Sequence, residues 1–77
     1  MTADQICNII QASEQEGREC GLTWVHDPNA RAWIAFGVWW RRYAPILSGY
    51  QSAPALEQVC LSVYSMGWEA ARKEQQS

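Results

Sequence analysis

Cysteine, histidine and carboxylate are the side chains that would carry chemistry in this chain. Its three cysteines are Cys7, Cys20 and Cys60, and its one histidine is His26. A protein zinc site draws its ligands from close pairs, typically two cysteines or two histidines a few residues apart. Here the four candidates are scattered, with no close pair, so no metal is implied. The three cysteines read as small apolar thiols of the kind that sit in cores, and His26 as a partly exposed helix-entry residue beside Asp27. A cysteine–histidine nucleophile needs a base held by a third group, and no such group is identifiable. No glycine-rich nucleophile motif surrounds any cysteine. Glu14, Glu16 and Glu19 cluster late in a helical segment, the pattern of a solvated charged face. The five glycines are isolated, so no phosphate-cradling loop is present. The expectation is a protein with no catalytic residues, no cofactor and no enzyme activity.

Arginine and aromatic side chains are the next constellation. Arg41 and Arg42 follow Trp39 and Trp40 and precede Tyr43. Stacking rings beside arginines is how single-stranded nucleic acid is held, which makes Arg41, Arg42, Trp39 and Trp40 an alternative binding set. Six basic residues face eight acidic ones, for a net charge of −2, and that balance weighs against nucleic acid. The same stretch lacks the long lysine-rich face of a membrane-surface helix, so no membrane partner is expected.

The elements that must position these groups are read from periodicity and caps. The 77 residues suffice for one domain with a thin core, one that buries only about 60–65% of the unfolded surface. Three helices are expected, at about 3–19, 28–43 and 53–73. Thr2 and Gln5 form a capping box for the first. Ile6, Ile9, Ile10, Ser13 and Gly17 share one face of it, and Gly21 reads as its stop. Leu22 to His26 is expected as a short extended connector, with a hairpin to 32–38 as the alternative. Asp27 and Pro28 signal the start of the second helix, which should end before Pro45. On it Trp33, Phe36, Trp40 and Tyr43 form one stripe, and Ile34 and Val38 lie on the other side. Residues 44–51 read as a loop, and Ser52 and Pro54 open the third helix. Leu56, Val59, Cys60, Val63, Met66, Gly67, Ala70 and Ala71 form its wide core stripe. Leu61, Tyr64 and Trp68 form a narrower second line. The fold class is therefore all-α, a small three-helix bundle.

Five tryptophans are more than a thin core should need: Trp24, Trp33, Trp39, Trp40 and Trp68. Each such ring buries about 150–250 Å². Interface hot spots are enriched in Trp, Tyr and Arg. Trp39, Arg42, Tyr64, Trp68 and Arg72 lie off the main stripes and are the expected partner-binding residues. A helix that is apolar on two sides would also gain from pairing with itself, so a homodimer is a compatible expectation. The N-terminus lacks a basic region leading into an apolar run, and the longest apolar run, 32–40, falls short of the about 20 residues of a membrane span. The expected location is the cytoplasm, with reduced thiols.

The F-G-V-W-W segment from Phe36 to Trp40 and the C-L-S-V-Y-S-M-G-W-E-A-A-R segment from Cys60 to Arg72 resemble small uncharacterised proteins of bacteriophages and prophages. Those often pair F-x-x-W-W with a helix ending in G-W-x-A-[AG]-R. The wider group of small phage accessory proteins includes inhibitors of host enzymes and of host defence, anti-CRISPR proteins among them. The resemblance covers about half the chain. It implies a stoichiometric inhibitor or adaptor acting on a bacterial host protein, and it carries over no catalytic residue.

Overall fold

The chain turns into its first helix at a fully formed capping box. The Thr2 backbone N–H donates to Gln5 Oε1 at 2.9 Å, and the Gln5 N–H donates to Thr2 Oγ1 at 3.2 Å. Two of the N–H groups left over at a helix start are thereby satisfied. A computed structural model describes residues 2–43 and 54–76, and they form three helices: α1 (Ala3–Thr23), α2 (Ala32–Tyr43) and α3 (Pro54–Gln76). Among the described residues there is no strand, and no helix is long and apolar enough to cross a membrane. The loop expected at 44–51 and the helix start expected at Ser52 lie outside the described residues.

α1 does not stop at Gly21. Its buried residues are Ile9, Ser13, Gly17 and Gly21, a line with a step of four that runs nearly the length of the helix. This line meets α3. A Cβ on Gly17 would strike the Tyr64 backbone carbonyl, one on Gly21 would lie 2.7 Å from the Trp68 carbonyl oxygen, and one on Gly67 would lie 2.5 Å from that of Glu14. Glycine is required at all three positions because backbone, not side chain, fills the space. Further along, the Arg72 guanidinium donates to the Trp24 carbonyl at 3.2 Å. Position numbers rise together on both helices, so α1 and α3 run parallel with their backbones close. Gly21 sits within this contact, and the helix continues through it to Thr23.

Turns connect α1 to α2. Val25 N–H donates to Leu22 O, Asp27 N–H to Trp24 O, and Ala30 N–H to Asp27 O. The short connector expected here is present, shifted to Trp24–Arg31. Asp27 does cap a turn, accepting from Asn29 N–H at 2.9 Å, but the turn is not helical. The first α2 bonds are accepted by the Arg31 carbonyl, from Ile34 and Ala35. Ile34 and Ala35 N–H groups thus begin the helix four residues after Pro28, whose ring is spent on the turn.

α2 joins the bundle through rings. Phe36 meets Tyr64 edge-on at 5.4 Å and stacks on Trp40 at 5.5 Å. The core cluster comprises Ile9, Phe36, Trp40, Cys60, Tyr64 and Trp68. The burial face of α3 keeps Cys60, Gly67 and Ala71 of the expected stripe but is turned toward its second line. Tyr64 and Trp68 are buried, while Val59 and Met66 from the expected core stripe are exposed. Aromatic rings remove more apolar surface than Val or Met, and α3 must serve two neighbours at once. The buried side is the one that α1 and α2 share.

Candidate docking cleft

Backbone contact between α1 and α3 leaves α2 to close the third side, and it does so incompletely. An apolar cleft of about 440 Å³ opens between the second half of α1, the connector and α2, with Trp68 of α3 at its base. Its walls are Trp24, Ile34, Val38 and Trp39, and its charged margin is Glu16, Asp27, Arg31 and Arg42. Trp24, Ile34 and Val38 are each 49% exposed. Large apolar side chains half open to water around one concavity are the usual character of a binding site.

The groups behind the cleft are neutral. Cys20 lines it and donates to Glu16 Oε1 at 3.8 Å. Burial pushes the Cys20 thiol up, and the Glu16 and Glu19 carboxylates add to that, against an opposing pull from the Tyr64 phenol. Burial likewise raises Cys60, and raises Tyr64 far above the ordinary phenol range. Thiols shifted this way stay protonated at neutral pH and are poor nucleophiles. The buried Ser13 and Tyr64 hydroxyls have no well-formed hydrogen bond among the described residues. They lie beside the Cys60 and Cys20 sulfurs, which are weak acceptors. Arg31 is turned back on its own connector, donating to the Pro28 and Ala30 carbonyls at 3.0 Å each. His26 is exposed in the turn after α1, and among the described residues no three His, Cys, Asp or Glu side chains come together.

Of the five expected partner-binding residues, the cleft gathers three: Trp39, Arg42 and Trp68. Trp39 is half-buried and stacks on Tyr43 at 4.8 Å, while Arg42 is exposed at the margin. Tyr64 and Trp68 do not stand off the core. They are 0% and 3% exposed, so Tyr64 cannot reach a partner and Trp68 offers only the cleft floor. Arg72 is a tether. Its guanidinium lies 5.7 Å from the Trp68 ring centroid and holds the Trp24 carbonyl. The alternative nucleic-acid set is divided in the same way: Arg41 and Arg42 are exposed, but Trp40 is buried and Trp39 already has a stacking partner. Trp33, expected in the core stripe of α2, is 65% exposed.

Sequence reasoning passed over Trp24, Ile34 and Val38 as docking residues. The signal was present for two of them, since Ile34 and Val38 make the second apolar side of α2. For Trp24 none existed, because its position depends on how the connector folds. Comparison of the chain with protein-family models, curated proteins and solved structures gives no match.

Proposed function

We propose that this chain is a non-catalytic protein-interaction module that inhibits or modulates a bacterial host protein by occlusion, with the cleft as its docking site. The observation that carries this reading is the half-exposed apolar wall of Trp24, Ile34 and Val38 around one concavity. A domain of this size has little apolar surface to leave in water without a use for it. The occupant suited to the cleft is an apolar or aromatic side chain carried on a partner's surface segment. Glu16 and Asp27 on one hand and Arg42 on the other would face polar groups at the rim. Ring anchors in a dry centre with arginine at the edge are how such interfaces concentrate their energy. The resemblance of segments 36–40 and 60–72 to small phage proteins directs the search to bacterial host proteins, met in the cytoplasm.

The test is capture from bacterial lysate by the immobilised chain, run in parallel with Val38→Asp and Ile34→Asp. Val38 and Ile34 are half-exposed, so the charge should leave the fold intact, as circular dichroism will verify. The expected result is a specific protein that the original retains and both variants lose, with Trp24 emission shifting as the purified partner is added. Equal capture by original and variants would remove the cleft from the reading. Binding of a labelled oligonucleotide that weakens steeply with salt would replace the reading with a nucleic-acid one.

A further inference from the structure

The cleft has an acidic wall and a basic wall. Glu16 lines it from α1 and Arg42 lines it from α2. Glu16 is half-buried, with the Cys20 thiol 3.8 Å away, and Arg42 is exposed. Neither belongs to an ion pair among the described residues. The cation of α1, Arg18, is bonded to Glu14 at 3.5 Å and lines a separate groove with Met66 and Ala70. α2 contains no acidic residue. At the connector end of the cleft, Asp27 and Arg31 offset one another. What remains is a carboxylate on one wall and a guanidinium on the other. Between them runs an apolar strip. From Ile34 to Arg42 it rises about 12 Å along α2. The anchors of a docked helix, at i, i+4 and i+7, span about 10.5 Å. An extended segment has no strand edge to pair with among the described residues, so its backbone groups would lie unbonded against the apolar wall. A helix bonds its own backbone and needs no edge.

We infer that the cleft takes an amphipathic helix of the partner, with basic residues along its edge toward α1 and acidic residues along its edge toward α2. This rests on the reading of the cleft as a docking site and names what docks there. Apolar side chains of the helix lie on Ile34 and Val38, above Trp68. Its basic edge meets Glu16 and its acidic edge meets Arg42. Charges of opposite sign flanking an apolar seam are what set partner choice and orientation between paired helices. Turning the helix end for end exchanges its two edges, so the same two charges also select its direction.

The experiment titrates the full chain into three fluorescein-labelled peptides of about 18 residues, long enough to form a helix, and follows anisotropy. All three share one stripe of Leu and Phe. One has Lys along one edge and Glu along the other, one has Glu on both edges, and one has Lys on both. The mixed-edge peptide should bind about two- to fivefold tighter than the others, as exposed ion pairs allow, and added salt should shrink that lead. Glu16→Lys should move the preference to the Glu peptide, and Arg42→Glu should move it to the Lys peptide. The two substitutions together should restore the mixed one. Circular dichroism checks that each variant is folded. A proline at the centre of the mixed peptide should weaken binding by about tenfold or more, because it breaks the helix. Equal affinity for all three peptides, still lost in Val38→Asp, overturns the charge-selected helix and leaves the cleft as a docking site. Binding that survives Val38→Asp or the central proline overturns the inference, as does no binding at millimolar peptide. A dimer of the chain alone that Val38→Asp dissociates gives the cleft to a second copy and overturns it too. The docking reading itself falls only if capture from lysate is also indifferent to Val38→Asp and Ile34→Asp.

Discussion

Placing alanine at each of two helical glycines should move stability in opposite directions. In both cases the intrinsic preference is the same, with alanine about 1 kcal/mol better than glycine within a helix. At Gly37 nothing described opposes the new methyl, so Gly37→Ala should stabilise the dilute monomer by roughly 0.4–1 kcal/mol. At Gly17 the methyl would strike the Tyr64 carbonyl, and at Gly67 it would sit 2.5 Å from the Glu14 oxygen. Non-bonded atoms settle near about 3.5 Å, so at Gly67 the helices would have to part by about 1 Å. The obstacle is backbone in the middle of a helix, which cannot swing aside as a side chain does. Moving it loosens every contact between α1 and α3, including Gly21 on Trp68 and Arg72 on Trp24.

Overpacking of this kind costs about 1–3 kcal/mol or more, and a fixed obstacle belongs at the upper end. After the helix-propensity gain, Gly17→Ala should lose about 2 kcal/mol. A domain of this length has roughly 4–12 kcal/mol in all, so the loss is a large fraction. Urea unfolding followed by circular dichroism at low protein concentration is the assay. With a slope of about 1 kcal/mol per molar, the midpoint should fall by about 2 M for Gly17→Ala and rise by up to about 1 M for Gly37→Ala. If both substitutions shift the midpoint the same way, or if Gly17→Ala is neutral, the close α1–α3 contact does not organise the fold.

Other consequences concern the buried polar groups and the tether. Tyr64→Phe removes a buried hydroxyl with no well-formed partner and should hold stability or raise it by about 1 kcal/mol, read from the same urea curves. Burial raises Cys60, Cys20 and Tyr64 above their ordinary values of 9.0, 9.0 and 10.0, so the unfolded chain releases these protons first. Stability should be whole below about pH 9 and fall as pH rises beyond it, by up to about 1.4 kcal/mol per pH unit for each group ionised only when unfolded. Urea midpoints between pH 8 and 11 check the sign, and Tyr64→Phe should flatten the upper part of that decline. Arg72→Leu gives up the contact with the Trp68 ring and the bond to the Trp24 carbonyl. It should lower stability by about 1–2 kcal/mol and shift Trp24 emission, and an unchanged spectrum would show that Arg72 does not hold the connector.

Two apparent stop and start signals were misleading for one reason. Gly21 and the Asp27–Pro28 pair describe what the backbone can do locally. Gly21 is glycine because Trp68 presses on it, and a packing glycine and a terminating glycine look alike in a single sequence. Asp27 caps a turn instead of a helix because the connector needs that turn to set α2 beside α3. The docking residues divide similarly. Tyr64 and Trp68 are buried although the periodic run of Val59, Val63 and Met66 in the sequence points to a different side of α3. Periodicity finds an apolar face, but when a helix has apolar residues on much of its circumference it does not say which side meets a neighbour.

What the chain determines by itself is the number and kind of its elements. The Thr2–Gln5 box, the apolar periodicity and the absence of a strand pattern with a partner depend only on neighbours a few residues apart, and they lead to three helices. The two-sided character of α2 is also local, because a helix fixes the angle between Ile34, Val38 and Phe36. Tertiary structure alone decided the phase of α3, the parallel backbone contact through Gly17, Gly21 and Gly67, and the cleft that this contact leaves open. Those features arise from groups as far apart as Trp24 and Arg72, whose meeting depends on how three helices share one small core.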